Sequence, residues 1–374
     1  MDATMILALN AGSSTVKYAL FSSSGRDVEE LCADTVEYGD GEQIPACVRE
    51  ILKRVEGTTE GKPIAAIGHR IVHGGEVFTK PVQIDATVLT ELEQLIPYAP
   101  EHLPQEIMCI EACRKHVPDV PQVGCFDTAF HATMPKKAEL IALPEALRAK
   151  GIRRYGFHGI SYAYLLEELQ KVDPEAIQKR IVLAHLGNGA SMAAVKHGRC
   201  IDTTMGFTPA SGLIMGTRIG DIDPGVAWYL VKQEGMSIDE MYECMHAKSG
   251  LLGLSGSTAD MRTLLEREES DPKAAQAIDL FCYRMQCMIG AYAAALEGID
   301  VLVFSGGIGE HAAKIRARVC EPLSHLGISL SVTENANHAP LISSSKSAVA
   351  VRVMHTDEQR MIARWTAHVL DSSA

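Results

Sequence analysis

The polar turn Asn10-Ala11-Gly12-Ser13-Ser14-Thr15-Val16-Lys17 lies between two apolar runs, Leu7 to Leu9 and Tyr18 to Phe21. Its residue types suit an anion. Gly12 lets backbone or ligand approach closely, the turn amides can form a nest for phosphate oxygens, and Ser13, Ser14, Thr15 and Lys17 add donors and charge. An ordinary tight hairpin is the alternative, but it calls for turn formers such as Asn-Gly and has no need of hydroxyls in series with a lysine. The phosphate reading is preferred. Two later stretches echo it: residues 181–195 run strand, Gly187-Asn188-Gly189 turn, strand, and residues 301–310 form a strand delivering Gly306, Gly307 and Gly309 ahead of a helix rich in alanine and arginine. None is a Walker loop, because no Gly-Lys-Ser/Thr follows a glycine at the required spacing, and none reads G-x-G-x-x-G. Two halves that each open on a glycine-turn hairpin predict a duplicated fold with nucleotide between the copies.

The elements that position these turns alternate in an α/β pattern. Helices are expected at 44–54, 86–96, 104–116, 161–169, 274–296 and 359–369, and further strands at 64–72 and 120–126. Asp223 followed by Pro224 reads as an N-cap with proline in the first helical position. The alanine-rich helix 274–296 must pack closely on a sheet, the last helix docks back on the first half, and residues 147–156 form the first crossing between domains.

The chain has 374 residues, enough for two or three domains, and 47% hydrophobic content, enough for large buried cores. A net charge of -12 argues against nucleic acid or an anionic membrane as the main partner, so an anion site must be a local concentration of cations, amides or metal. The ten cysteines are scattered without C-x-x-C spacing, which fits reduced thiols in the cytoplasm. Met1-Asp2-Ala3-Thr4 has no basic leader region and no run of 18 apolar residues exists, so neither export nor membrane spanning is expected.

Several bland readings compete at individual residues. His69 and His73 have the spacing of a helical zinc pair, yet Ile71, Val72 and Gly74-Gly75 indicate a strand end, and no glutamate stands between them as in H-E-x-x-H. Asp221 could be an N-cap or a metal ligand, Arg218 could pair with Asp221 at the surface, and Asp260 could be a helix start. His131 and Phe130 are expected to be packing residues.

A set of motifs carries a family resemblance along essentially the whole chain. It comprises Leu9 to Lys17, Gly68-His69-Arg70-Ile71-Val72-His73-Gly74-Gly75, Phe126-Asp127-Thr128-Ala129-Phe130-His131, Arg154-Tyr155-Gly156-Phe157-His158-Gly159 and His185-Leu186-Gly187-Asn188-Gly189. Met205 to Pro209, Met215 to Arg218, Gly220 to Pro224, Ser305 to Glu310 and Thr356-Asp357-Glu358 complete it. The chain resembles the acetate kinase family, which includes propionate and butyrate kinases. The resemblance implies a duplicated actin-like, sugar-kinase-like (ribonuclease H-like) ATPase fold. It has two domains and a nucleotide cleft, divided here as 1–150 with 360–374 and 151–359, and it forms a homodimer. It implies reversible, in-line, Mg²⁺-dependent (or Mn²⁺-dependent) transfer of the ATP γ-phosphate to acetate or propionate. By the same resemblance Arg70, Asp127, His158 and Arg218 are catalytic, and Arg70, Val72, Phe157 and Pro209 hold the acyl substrate. Lys17, His185, Asn188, Gly189, Asp260, Met261, Arg262, Gly307 and Ile308 bind ATP, and Asn10 and Glu358 are on the metal side.

The chemistry of these residue types agrees. A carboxylate acceptor is already ionised and needs no strong base; its difficulty is approaching a polyanionic phosphate. Arg70 and Arg218 supply planar forks for carboxylate or phosphoryl oxygens, and His158 can donate to the transferring group. Departures from the family pattern concern the acyl pocket, where Pro100-Glu101-His102-Leu103-Pro104 replaces Pro-Leu-His-Asn-Pro; in addition Ala210-Ser211 replaces Leu-Glu, Ile219 a serine, His311 an asparagine and Gln359 the second of two glutamates. Glu101 either enters the pocket or turns to solvent while Leu103 or Val72 fills the wall. A sugar or polyol kinase, with Asp127 as base, and a non-catalytic ATP switch are the alternatives.

Overall fold

The computed structural model describes residues 4–12, 14–25, 27–38, 43–59 and 61–373. Ser13 of the polar turn and the first three residues of the chain lie outside the described residues. Strands β1 (Thr4–Ala11), β2 (Thr15–Ser24), β3 (Asp27–Glu37), β4 (Ile64–Ile71), β5 (Val82–Gln83) and β6 (Gln122–Phe126) form one sheet in the order β3-β2-β1-β4-β6-β5. A second sheet contains β7 (Arg180–Leu186), β8 (Ala190–Lys196), β9 (Arg199–Thr203), β10 (Val301–Ser305) and β11 (Ala350–Val353) in the order β11-β10-β7-β8-β9. With β5 set aside, the two orders are the same sequence of strands. In each, three antiparallel strands lead and the first of them pairs in parallel with the fourth. The duplication read from the two hairpins is therefore real at the level of topology.

The period-2 alternation of β1 explains why that strand is a continuous apolar run. Leu7 and Leu9 face a cluster with Ile44, Val48 and Ile51 of the helix Ile44–Glu56, whereas Ile6 and Ala8 face Met361 and Ile362 of the helix Glu358–Ser373. Both faces are covered from Met5 to Leu9, so no polar residue stands between those positions. The helix Pro272–Leu296 turns Ala274, Ala277, Phe281 and Tyr292 inward against the second sheet, and Tyr292 Oη donates to Met192 O at 3.2 Å.

Most predicted elements appear within a few residues, including the helices Leu103–His116, Gly159–Val172 and Glu358–Ser373. The predicted helix 86–96 ends instead at Gln94 and gives way to a 3₁₀ turn, Ile96–Tyr98, because Pro97 disfavours α geometry at the residue before it. Strand β3 was not foreseen; it is a charged, largely exposed edge strand with few apolar residues to announce it. The glycines after β10 do not form a loop ahead of a helix. They are themselves the short helix Gly306–His311, followed by the alanine- and arginine-bearing helix Ala313–Cys320.

The chain divides into two compact units, Met1–Ala132 with Phe157–Tyr164 and Asp357–Ala374, and Thr133–Gly156 with Leu165–Thr356. The boundary expected at 150 thus falls inside the second unit. Local hydrogen bonds explain the difference: Arg154 N–H donates to Glu139 O and Tyr155 N–H to Gly206 O, whereas Gly159 N–H donates to Asp127 O. Among the described residues no helix is long and apolar enough to cross a membrane.

Gly68 in β4 has no room for a side chain, since a Cβ there would meet Thr366 Oγ1 and lie 2.6 Å from Ile362 Cγ2. Gly68→Ala is expected to push the final helix off the sheet and to destabilise the protein by about 1–3 kcal/mol, measured by urea unfolding at pH 7.

Candidate active site

In the first unit, Arg70 lies one residue before the end of β4, and Asp127 directly follows β6, the neighbouring strand. Asp127 N–H donates to Ile71 O at 2.9 Å, which continues the ladder past the end of β6 and brings the two side chains together. Arg70 Nε and Nη2 both donate to Asp127 Oδ2, at 3.1 and 2.6 Å, and Nη1 donates to Asn10 Oδ1 at 3.3 Å. The Arg70 side chain is 17% exposed and that of Asp127 1%. Burial works against the guanidinium charge, but Asp127, Glu358 and Glu106 outweigh it and hold the group above its ordinary value. Arg70 is a fixed cation with a solvent-facing remainder.

His158 has φ 58°, in the left-handed region that a non-glycine residue occupies only when its surroundings force it. Gly159, next to it, cannot carry a Cβ, which would stand 2.8 Å from Phe130 Cβ. The turn is fixed on both sides. Phe157 is fully buried with its ring edge-on to His73, and its carbonyl accepts from His131 Nε2 at 2.9 Å. His131 is a packing residue, as expected, and burial pushes its pKa down to about 4. Val72 is buried beside Arg70. Glu358 opens the helix Glu358–Ser373.

The second unit holds a cavity of about 1060 Å³. Asn188, Asp260, Met261, Arg262, Gly307 and Ile308 all line it, together with Gly187 and His311. Gly307 has open space where a side chain would be, so a ligand can approach the backbone there. Asp260 is also the N-cap of the helix Met261–Arg267, accepting from Thr263 N–H at 2.8 Å, and this bond holds its carboxyl below the usual range. Three further expected nucleotide residues sit on strands or in the turn between them. Lys17 is exposed on β2 of the first unit, opposite Asn10; His185 pairs with Ser305 in the β7–β10 ladder; and Gly189 closes the hairpin by accepting from Gly187 N–H at 2.9 Å. Arg218 Nη1 donates to Pro209 O at 3.3 Å, which brings a predicted catalytic residue and a predicted acyl-wall residue together in this unit. Asp221 serves the turn, accepting from Gly212 N–H, and Asp223 caps the helix Pro224–Lys232.

At the acyl-pocket departure Glu101 is exposed to solvent, and Leu103 is fully buried at the start of its helix. His69 and His73 are interior groups, His69 Nε2 lying 2.7 Å from the Gln122 side chain and His73 stacking on Tyr98. Sequence reasoning missed Glu106, which is buried beneath Val72. An acid in the first turn of a helix ordinarily reads as dipole compensation on a solvated face, and nothing in the sequence marks this one as interior. Asn10 and Glu358, both near Arg70 in the first unit, offer one amide oxygen and one carboxylate, a donor set that Mg²⁺ accepts when water and phosphate complete it.

Because His131 stays neutral when folded, protonation of the unfolded chain drains stability as pH falls from about 6.5 toward 4, by roughly 3 kcal/mol in all. Replacing His131 with Gln, which keeps a donor to Phe157 O, is expected to flatten the stability profile across that window in urea titrations.

Comparison with known proteins places this geometry in context. A family model described as the Acetokinase family matches residues 32–364. An acetate kinase of Nitrobacter hamburgensis is 43% identical, with 98% of this chain and 96% of that protein covered. The crystal structure of Porphyromonas gingivalis acetate kinase superposes with a TM-score of 0.90 at 37% identity, covering 98% of this chain and 100% of that one. A propionate kinase from Francisella tularensis gives 0.88, also at 37% identity and with the same coverage.

Proposed function

The chain belongs to the acetokinase family and is a short-chain carboxylate kinase, and we propose that it moves the γ-phosphate of ATP to acetate or propionate using Arg70, His158 and Arg218. The observation that carries the assignment of roles is the Arg70–Asp127 pair. Both bonds from Arg70 end on a single carboxylate oxygen, so the guanidinium is oriented and permanently charged before any ligand arrives. Arg70 meets the acceptor carboxylate, and Arg218 supplies a second fork for charge that develops on the phosphoryl oxygens. His158, held at its strained backbone angle, donates to the same group. Asp127 acts through Arg70 as a positioning residue. Val72, Phe157 and Pro209 give the acyl chain an apolar wall.

The cavity of the second unit is the nucleotide site of this reading, its glycine side open to the phosphates and Met261 and Ile308 against the base. Asn10 and Glu358 would hold Mg²⁺ or Mn²⁺, which neutralises phosphate charge when bound. A hydroxyl acceptor is disfavoured: the base it would require is Asp127, whose Oδ2 already accepts two N–H groups from Arg70. A homodimer is supported by Val226, Trp228, Tyr229 and Ile238, which expose 42–70% of their surface on the helices Pro224–Lys232 and Ile238–Ala247. Ten free thiols support a reducing, cytoplasmic setting.

Incubation with ATP, Mg²⁺ and hydroxylamine should yield hydroxamate from acetate and propionate and none from glycerol. Arg70→Ala and Arg218→Ala are each expected to lower kcat about 10²-fold or more, with Lys a poor substitute at either position. Near wild-type turnover in either alanine variant would remove that arginine from the transfer step. Sedimentation should report a dimer, and Trp228→Glu should shift it toward monomer.

A further inference from the structure

Beyond β4 the ladder ends, and the backbone that carries Val72 is held by side chains. Gly74 N–H donates to Thr128 Oγ1 and Gly75 N–H to His73 Nδ1, each at 3.0 Å. Val72 N–H donates to Glu106, whose two carboxyl oxygens lie 3.2 and 3.1 Å away. Glu106 is the only one of these three acceptors that comes from a helix: it sits in the first turn of Leu103–His116, 2% exposed. A buried carboxyl is costly, and nonpolar residues of similar volume are the ordinary solution at such a position. Here the carboxyl meets a backbone donor that would otherwise be left buried and unpaired.

We infer that Glu106 is a positioning residue of the acyl site: by accepting the Val72 N–H it fixes the wall against which the acyl chain packs, and so sets which carboxylate fits. The inference rests on the kinase reading above. Val72 is two residues from Arg70, so the same bond fixes the distance between the apolar wall and the cation that takes the carboxylate. A loose Val72 would leave the arginine in place and blur the selection of chain length.

The charged and titratable groups that face Glu106 are Arg70 from β4, Asp127 from the end of β6 and Cys109 from its own helix. Burial dominates and pushes the carboxyl up to about 8; Arg70 and the Val72 N–H draw it down, whereas Asp127 and Cys109 add to the rise. At pH 7 the group is mainly a neutral acid. As pH rises through about 8 it ionises and places a negative charge near Arg70, where an anionic acceptor must bind, so kcat/KM for acetate falls. The positioning role therefore has a pH signature that a purely space-filling residue lacks.

The test uses the full chain, with acetate, propionate and butyrate assayed from pH 6.5 to 9.5 in wild type, Glu106→Gln and Glu106→Leu, and hydrogen exchange of the 70–75 segment followed by mass spectrometry. Glu106→Gln keeps an acceptor, so the acetate KM should stay within about twofold and the chain-length ranking should hold, while the alkaline decline near pH 8 disappears. Glu106→Leu should raise the acetate KM about tenfold with kcat within about threefold, alter the ranking, and speed exchange of the 70–75 segment about tenfold. An unchanged ranking and KM in the leucine variant, or an unchanged alkaline limb in the glutamine variant, overturns the inference. Should the leucine variant fail to fold, the isosteric glutamine variant still decides through its pH profile. A wild type that forms no hydroxamate would sink the kinase reading instead, and the exchange rates would still report whether Glu106 holds Val72.

Discussion

The Arg70–Asp127 pair is the interaction on which the rest of the first unit depends. Taking a guanidinium and a carboxylate out of water costs several kcal/mol per ion, and their attraction offsets this only when the geometry is good and the remaining donors are satisfied. The fold meets that condition with backbone: β4 and β6 are neighbours, Asp127 N–H reaches Ile71 O, and Asp127 O accepts from Gly159 N–H. That last bond also brings the His158 turn to the same place. Losing either ion would leave the other buried alone, at a cost of about 3–5 kcal/mol, so the pair is a constraint on folding.

A second consequence follows from the net charge of -12. A surface that repels anions must bind one at a local cation, and the cation that the proposed function uses in the first unit is Arg70, bonded to Asn10 and near Glu358. The cavity of the second unit is lined by glycines, Met261 and Ile308 together with charges of both signs, Arg262 and Lys314 beside Asp260, Glu266 and Glu269. The same strand order, used twice, carries unlike side chains at its strand ends.

The close packing around β4 shows how little freedom the site-bearing strand has. Gly68 lies against the final helix and the 72–75 backbone is pinned by Glu106, Thr128 and His73, so Arg70 is held from both directions along the chain. Such preorganisation costs backbone freedom during folding. It leaves little to reorganise when the reaction occurs.

Sequence by itself determined the α/β class, the two hairpins, most of the helices and, through whole-length motifs, the family and the site residues worth examining. These were legible because they rest on local signals: period-2 apolar runs, N-caps such as Asp223 and Asp260, and glycine turns. Tertiary structure alone decided the rest. Strand β3 is held by its neighbour rather than by its own pattern, and residues 157–164 return to the first unit through the Gly159 bond to Asp127, the Phe157 carbonyl on His131 and the packing of Ile160 and Tyr164 in its core. Exposure of Glu101 and of Lys17, and burial of Glu106, depend on which way each backbone faces. A charged residue has the same letter in the sequence whether it meets water or another chain segment, and only packing assigns it a partner and a protonation state.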